Sequence, residues 1–317
     1  MARPRLSTTA VVLEKPEHLV LSQMTLPDVG DEDVVVDIEW SGISTGTERL
    51  LWSGRMPMFP GMGYPLVPGY ESVGRVSDAG LNAKVSVGDR VFVPGAKCFG
   101  DVKGLFGGAA SRLVVPSQRA WRFDNAIGEQ GVLFALAATA YHAVAANGAR
   151  QPDLIVGHGV LGRLIARIAV INGAEPTVWE TNADRTGDAN GYRVIDPAAD
   201  SRRDYQSIYD VSGDAGLLNT LISHITHGGE VVLAGFYSEP LTFAFPPAFM
   251  KEARIRVAAE WRESDMVAVR DLVETGRLSL DGLITHRVDA MDASSAYRTA
   301  FNDPLCLKMI LDWRACS

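Results

Sequence analysis

The sequence predicts an α/β protein with two domains, a small β-barrel and a doubly wound parallel sheet. Three observations predict this fold class. The chain has 317 residues, which is enough for two hydrophobic cores. Short β-rich runs separated by Gly and Pro occupy residues 1–125, whereas apolar strands alternate with helices after Asn125. A Gly-x-Gly-x-x-Gly motif at residues 157–162 lies between a strand and a helix.

The strands of the first domain are short and regularly interrupted. Turn-forming pairs such as Pro68-Gly69 and Gly88-Asp89 separate them. We predict these strands at residues 9–13, 34–40, 73–78, 90–94 and 112–116. Many short strands with Gly and Pro between them are typical of a small barrel.

The second domain begins with the Ala-rich stretch 132–146, which predicts a buried helix. Residues 153–156 are predicted as its first strand, and residues 161–171 have the period of a helix. Further strands are predicted at residues 177–180, 207–211 and 230–234. Strands that alternate with helices in this way imply a parallel sheet covered by helices.

Composition excludes several classes of function. The net charge of -8 argues against a nucleic-acid partner, because there is no basic field to neutralise phosphates. Three cysteines without a CxxC pair do not form a disulfide framework, which favours a reducing compartment. No apolar run reaches the roughly 20 residues that a membrane-spanning helix needs. We therefore expect a cytoplasmic protein with no integral membrane segment.

The glycine motif predicts a dinucleotide site. Gly157 allows a tight turn, Gly159 lets the backbone approach a pyrophosphate, and Gly162 allows close packing of helix against strand. Val160 and Leu161 open the helix, where free N–H groups and the helix dipole favour an anion. The alternative is that the glycines serve only a tight turn.

An acidic residue at the end of the next strand predicts the choice of nucleotide. Glu180 lies about 20 residues after the motif, where a carboxylate accepts hydrogen bonds from ribose hydroxyls. Such a carboxylate repels the 2′-phosphate of NADP, so NAD is the expected cofactor. Arg185 is close enough in sequence to contribute to the same site, and Glu180 could instead be a solvated strand end.

Seven further segments occur in a characteristic order. They are 68–74 (PGYESVG), 87–91 (VGDRV), 107–111 (GGAAS), 139–141 (TAY), 212–213 (SG), 234–236 (AGF) and 283–286 (LITH). In this order and spacing the chain resembles the medium-chain dehydrogenase/reductase family over nearly its full length. The resemblance implies a GroES-like catalytic domain formed by residues 1–125 and 280–317, and a Rossmann domain at residues 126–279. It also implies cofactor contacts from Thr139, Ser212, Gly235, Phe236 and Tyr237.

The chain departs from the zinc-binding members of that family. Ser44 or Thr45 stands where those members have a cysteine ligand, and Tyr70 stands where they have a histidine. The third ligand position falls near Ala135, which has no donor atom. The four cysteines of the structural zinc lobe are reduced to Cys98. Because a catalytic zinc needs three N, S or O ligands, we predict that the protein binds no metal.

Other segments resemble a particular branch of the family. They are 41–52, 157–161, 232–237, 243–254, 258–261 and 304–313. Their resemblance implies that the substrate is a tetrapyrrole. The implied reaction converts a hydroxyethyl side chain of a bacteriochlorophyllide into an acetyl group, with NAD as hydride acceptor, in bacteriochlorophyll a biosynthesis.

Oxidation without zinc requires a side chain that removes the hydroxyl proton. Ser44, Thr45, Tyr70 and Glu71 surround the vacated metal position and are the candidates. The proton could pass through hydroxyl groups to Glu71. Tyr70 could instead act as acid and base, which requires a pKa below its ordinary value of about 10. A third interpretation is that Tyr70 only fills space and Glu71 makes a buried hydrogen bond.

An apolar segment at residues 52–64 is the candidate pigment contact. We expect its large side chains to line a site for a flat ring, because Met adapts to irregular shapes and aromatic rings stack. These residues are Trp52, Met58, Phe59 and Tyr64. The alternative is that the segment packs against the barrel or against a second copy, since the resemblance makes a homodimer one expected state.

Two other functions stay open. One is a zinc-free quinone or enoyl reductase, although such enzymes usually use NADPH and Glu180 disfavours it. The other is a non-catalytic NAD-binding subunit of a pigment-synthesis assembly, which would bind NAD without turning over a tetrapyrrole.

Overall fold

The computed structural model describes residues 5–146 and 148–316. The chain divides into two compact units. Residues up to Ala135 and residues from Leu283 onward form the first, which we call the β unit. Leu136–Gly282 form the second, the parallel-sheet unit.

The first part of the β unit consists of short strands and one helix. They are β1 (Ser7–Lys15), β2 (His18–Thr25), β3 (Asp33–Ile43), α1 (Thr47–Ser53), β4 (Leu66–Val67), β5 (Ser72–Ala79), β6 (Arg90–Val93), β7 (Lys103–Gly104), β8 (Arg112–Pro116) and β9 (Trp121–Arg122). Residues 125–133 form 3₁₀ turns that are interrupted at Gly128, which has a φ of +57°. The helix predicted from residue 132 therefore begins at Phe134.

The next elements are strands and helices that mostly alternate, before the chain returns to the β unit. They are α2 (Phe134–Ala145), β10 (Leu154–Val156), α3 (Val160–Ile171), β11 (Thr177–Trp179), β12 (Arg193–Ile195), β13 (Tyr205–Asp210), α4 (Leu218–His224), β14 (Ile225–Leu233), α5 (Phe245–Met250), β15 (Arg254–Val257) and α6 (Glu263–Glu274). The last three are β16 (His286–Asp289), α7 (Ala293–Asn302) and β17 (Met309–Asp312).

The β unit contains a four-stranded sheet, β2-β1-β4-β7, and a larger sheet in the order β16-β17-β3-β5-β6-β9, with β8 also paired to β3. Strand β3 pairs antiparallel with β17, and Met309 lies opposite Ile43. Helix α7 buries one face, including Tyr297 and Phe301, in the core of this unit. This pairing brings the end of the chain next to the end of β3, where the candidate catalytic residues begin.

The parallel-sheet unit has six strands in the order β12-β11-β10-β13-β14-β15, all parallel. This is the Rossmann order, in which the direction of strand addition reverses between β10 and β13 and a ligand binds beyond the carboxyl ends of the strands. The two-domain α/β architecture predicted from the sequence is confirmed. None of the described helices is long and apolar enough to cross a membrane.

Candidate functional site

The glycine-rich loop follows β10 and opens α3. Gly157 has a φ of +104°, which a side chain rarely tolerates. A Cβ on Gly162 would lie 1.9 Å from the carbonyl oxygen of Gly157, so only glycine allows the helix to pack this closely. A Cβ on Gly159 would meet no protein atom within 4 Å. The loop is therefore open at Gly159, so an anionic group can approach the N–H groups of the first turn of α3, which begins with Val160 and Leu161.

The loops after β13 and β14 meet at a buried carboxylate. Asp210 accepts hydrogen bonds from the Ser212 hydroxyl at 2.7 Å and from the Tyr237 hydroxyl at 2.8 Å. Its carbonyl oxygen accepts from the N–H of Gly235 at 3.0 Å. Burial raises the pKa of Asp210, and the two hydroxyl donors oppose that rise. Three predicted cofactor residues are thus held together by an aspartate that the sequence interpretation did not include, while Phe236 is 51% exposed beside them.

Glu180 is bound to the glycine-rich loop. Its carboxylate accepts from the N–H of His158 at 3.1 Å and from the N–H of Asn182 at 2.7 Å. Burial lowers the pKa of His158 to about 4, so this ring is neutral near pH 7. The His158 ring contacts the carbonyl oxygen of Arg185, to which Arg163 also donates at 2.9 Å. The acidic residue is therefore fixed in position at the end of β11.

These features fit a nicotinamide dinucleotide. Gly159 leaves open space at the start of a twelve-residue helix, where a pyrophosphate binds favourably. Glu180 lies at the end of the neighbouring strand, where a ribose binds in Rossmann folds. Thr139, also predicted to contact the cofactor, is half-buried on α2.

In the β unit two of the four catalytic candidates, Ser44 and Tyr70, form a hydrogen-bonded pair. The Tyr70 hydroxyl donates to the Oγ of Ser44 at 2.7 Å. Ser44 is buried just after β3, whereas the neighbouring Thr45 is exposed. Burial and the nearby carboxylates Glu71 and Glu48 raise the pKa of Tyr70 above its ordinary value. The environment therefore favours a neutral phenol that donates a hydrogen bond, and disfavours a phenolate base.

Glu71, the third candidate, forms a buried ion pair. Its Oε2 lies 2.6 Å from the Nζ of Lys308, which also donates to the carbonyl oxygen of Ile43 at 3.2 Å. Both side chains are at most 2% exposed. Burial raises the pKa of Glu71, and the Lys308 ammonium opposes that rise. Among the described residues, none hydrogen-bonds to the second carboxylate oxygen, Oε1.

A second buried carboxylate contacts the backbone of Ser44. Glu48, in the first turn of α1, is fully buried and accepts from the backbone N–H of Ser44 at 3.0 Å. The Tyr297 hydroxyl donates to its other oxygen at 2.7 Å. Burial raises the pKa of Glu48 to about 7, and the charge of Glu71 adds to this rise. Helix α7 thereby fixes the loop that carries Ser44.

The candidate pigment residues fall into two groups. Trp52 is half-buried and packs against Phe301 with ring centroids 5.6 Å apart, and the Tyr64 hydroxyl donates to the carbonyl oxygen of Leu51. Met58 and Phe59 are 82% and 36% exposed. The first two side chains therefore serve the packing of the β unit, and the second two face outward.

Comparison with known proteins decides the family. The family model for the alcohol dehydrogenase GroES-like domain matches residues 30–125. An alcohol dehydrogenase from Escherichia coli CFT073, solved with NADH, covers 96% of this chain and 99% of its own, with a TM-score of 0.82. At 22% identity this likeness shows the fold.

Two curated relatives are much closer in sequence. Each is named 2-desacetyl-2-hydroxyethyl bacteriochlorophyllide A dehydrogenase. The Cereibacter sphaeroides protein is 58% identical over 97% of this chain and 99% of its own length. The Rhodobacter capsulatus protein is 57% identical over 98% and 99%. The chain belongs to the medium-chain dehydrogenase/reductase family. As a member of this family it is an oxidoreductase.

The residues at the family's catalytic metal position do not fit zinc. The Ser44 Oγ already accepts the Tyr70 hydroxyl, and Ala135 offers no donor atom. Within residues 5–146 and 148–316, no three His, Cys, Asp or Glu side chains are grouped so that they could hold a metal ion. A hydroxyl pair flanked by two buried carboxylates occupies this region of the family fold.

Sequence reasoning missed Lys308, Glu48 and Tyr297. Glu48 lies within the segment that replaces the cysteine ligand, so an acidic residue four positions after Ser44 was a usable signal. Lys308 and Tyr297 are 237 and 249 residues from the carboxylates that they contact. No local pattern connects positions so far apart.

Proposed function

We propose that this chain oxidises the hydroxyethyl side chain of a bacteriochlorophyllide to an acetyl group, in bacteriochlorophyll a biosynthesis. The proposed hydride acceptor is NAD, and the reaction proceeds without zinc. The assignment of the substrate rests on sequence identities of 58% and 57% to two dehydrogenases of that name, over 99% of the length of each relative.

The reaction removes two hydrogens from the alcohol. The carbinol C–H bond breaks with its electron pair, and a bound nicotinamide supplies the acceptor for that hydride. The O–H bond breaks as its proton leaves, and the carbonyl group of the acetyl product forms. The proton must be received by the protein, since the residues present do not fit a zinc ion.

We assign proton removal to the Tyr70–Ser44 pair. The raised pKa of Tyr70 disfavours a phenolate, so the phenol accepts the proton only as it passes its own to Ser44. Ser44 releases its own hydroxyl proton in the same step, and we propose that a bridging water carries this proton to a buried carboxylate. Glu71 has an oxygen without a hydrogen-bond partner among the described residues, and this favours it as the final acceptor. Thr45 is exposed, so it is the least favoured of the four candidates for proton removal.

The choice of NAD rests on Glu180. Its carboxylate is held by two backbone N–H groups at the end of β11, and a 2′-phosphate beside it would be repelled. The same feature disfavours an NADPH-dependent quinone or enoyl reductase.

The direct test mixes the protein with a hydroxyethyl bacteriochlorophyllide and excess NAD, with NADP in a parallel reaction. We expect a shift of the pigment's long-wavelength band matched mole for mole by NADH, and a much slower reaction with NADP. A protein that binds NAD but leaves the pigment unchanged would contradict the proposal and favour the non-catalytic subunit.

The relay is tested by Tyr70→Phe, which removes the hydroxyl and keeps the ring. We expect kcat to fall by about 10²–10⁴-fold, the usual contribution of a positioned acid–base group. The dissociation constant of NAD serves as the control and should stay unchanged. A Tyr70→Phe enzyme with wild-type kcat would show that Tyr70 only fills space.

A further inference from the structure

The ring of Phe106 is presented at the surface of the β unit beside the Tyr70–Ser44 pair. It is 38% exposed, although phenylalanine is usually buried. It meets the Tyr70 ring edge to face, with 5.5 Å between centroids and an interplanar angle of 89°. An exposed phenyl ring therefore contacts the residue to which we assign proton removal.

Hydrogen bonds fix the backbone on both sides of Phe106. The N–H groups of Leu105 and Gly107 both donate to the carbonyl oxygen of Val67, each at 2.9 Å. The carbonyl oxygen of Phe106 accepts from the N–H of Ala96, also at 2.9 Å. The segment cannot withdraw the ring by a backbone shift without breaking these bonds, so the backbone that presents the ring is fixed before any ligand binds.

Two glycines permit this arrangement. A Cβ on Gly95 would lie 2.1 Å from the carbonyl oxygen of Phe106. A Cβ on Gly107 would lie 1.9 Å from the carbonyl oxygen of Ala96. Both glycines have positive φ, at +90° and +82°. The fold thus uses two restrictive positions to hold an apolar ring where water reaches it, and packing of the β unit alone does not require that exposure.

We propose that Phe106 is a substrate-binding residue that stacks on the face of a flat conjugated macrocycle and selects it over small alcohols. This inference rests on the proposed function and deepens it. Aromatic rings pair favourably in offset or edge-to-face geometry, and a rigid ring loses little conformational entropy when it binds. Because Phe106 contacts Tyr70, a macrocycle stacked on Phe106 brings a substituent on its rim close to the relay.

The test compares Phe106→Ala and Phe106→Leu with Phe106→Trp. Leu81→Ala is the matched control, because Leu81 is 93% exposed and belongs to a turn with no proposed role. The dissociation constant of the hydroxyethyl pigment is measured without dinucleotide, from the shift of its absorption band, and kcat and KM are measured with NAD. We expect the Ala and Leu variants to raise the pigment dissociation constant and KM about tenfold. Phe106→Trp and Leu81→Ala should stay near wild type, and the KM for NAD should not change.

The outcomes separate this inference from the proposed function. An unchanged pigment dissociation constant in Phe106→Ala would overturn the inference. A lower kcat with unchanged pigment binding would do the same, because it would mean that Phe106 only supports Tyr70. A wild-type protein that binds the pigment without oxidising it would overturn the proposed function alone, and a wild-type protein that does not bind the pigment would overturn both.

Discussion

The two candidate sites of this molecule are assembled in different ways. In the parallel-sheet unit most of the predicted cofactor residues lie in one glycine-rich loop and beyond the ends of neighbouring strands, where backbone geometry positions them. In the β unit the groups around Tyr70 are side chains contributed by the loop after β3, by α1, by the residue before β5 and by the C-terminal segment. Glu71 meets Lys308 across 237 residues, and Glu48 meets Tyr297 across 249.

This difference predicts how each site responds to mutation. A site made of backbone and glycines should lose ligand affinity when space is filled, with little effect on stability where the space is open. A site made of buried charges should lose stability when one partner is removed, because the remaining charge is left without compensation. The four predictions below test this contrast, from the largest expected effect to the smallest.

Removing the ammonium of Lys308 should have the largest effect. Lys308→Met leaves Glu71 buried without its partner, and we expect a loss of about 3–5 kcal/mol in the free energy of unfolding. Urea denaturation measures the loss. The control is Arg314→Met, because Arg314 is exposed, Asp312 is partly exposed, and their pair should contribute no more than about 1 kcal/mol. Equal effects of the two variants would contradict the claim that the buried pair is a structural requirement.

Glu48 should make the stability of the protein depend on pH. The pKa of Glu48 is about 7 in the folded chain, compared with an ordinary value of 4.5. Between these pH values the folded protein therefore binds one more proton than the unfolded chain does. Stability contributed by that proton is present below about pH 4.5 and is lost as the pH rises through 7, by up to about 3 kcal/mol.

Glu48→Gln tests this dependence, because glutamine cannot ionise. Denaturation series from pH 4.5 to 8 should show the variant gaining stability relative to wild type as the pH rises. The control Glu32→Gln changes an exposed carboxylate just before β3 and should leave the pH dependence unchanged. Parallel curves for wild type and Glu48→Gln would show that Glu48 does not titrate in this range.

The two glycines of the dinucleotide loop should separate binding from stability. Gly159→Ala introduces a methyl group that meets no protein atom, so the midpoint of unfolding should not change while NAD binds at least about tenfold more weakly. Gly162→Ala places a methyl group against the backbone of Gly157 and should also lower stability by about 1–3 kcal/mol. Calorimetric titration with NAD and thermal unfolding measure both effects. If Gly159→Ala binds NAD as tightly as wild type does, the pyrophosphate does not bind at this loop.

Substitution of Glu180 should have a smaller effect, on nucleotide choice. Glu180→Ala removes the carboxylate that disfavours a 2′-phosphate, and we expect the ratio of kcat/KM for NAD over NADP to fall about tenfold. Glu175→Ala is the matched control, because Glu175 is exposed and precedes the same strand. If the ratio does not change in Glu180→Ala, another residue such as Arg185 sets the preference.

The sequence predicts the parallel-sheet unit better than the β unit for a physical reason. Gly157, Gly159, Gly162 and Glu180 act through local backbone requirements, and those requirements appear as a spaced pattern. The sequence also predicts that Ser44 and Tyr70 stand at the metal position, because these residues depart from the pattern of the zinc-binding members. The surrounding side chains could not be predicted from the sequence. The pairing of β3 with β17 and the packing of α7 bring Lys308 and Tyr297 to the site only in the folded chain.

The proposed reaction depends most on the removal of the proton by Tyr70 and Ser44 without a metal ion. Its most direct test is the turnover of hydroxyethyl bacteriochlorophyllide by protein treated with a chelator, with the zinc content of the same sample measured. We predict wild-type kcat at far less than one zinc per chain, with no increase when zinc is added back. Turnover that disappears with chelation and returns in proportion to added zinc would contradict proton removal without a metal ion.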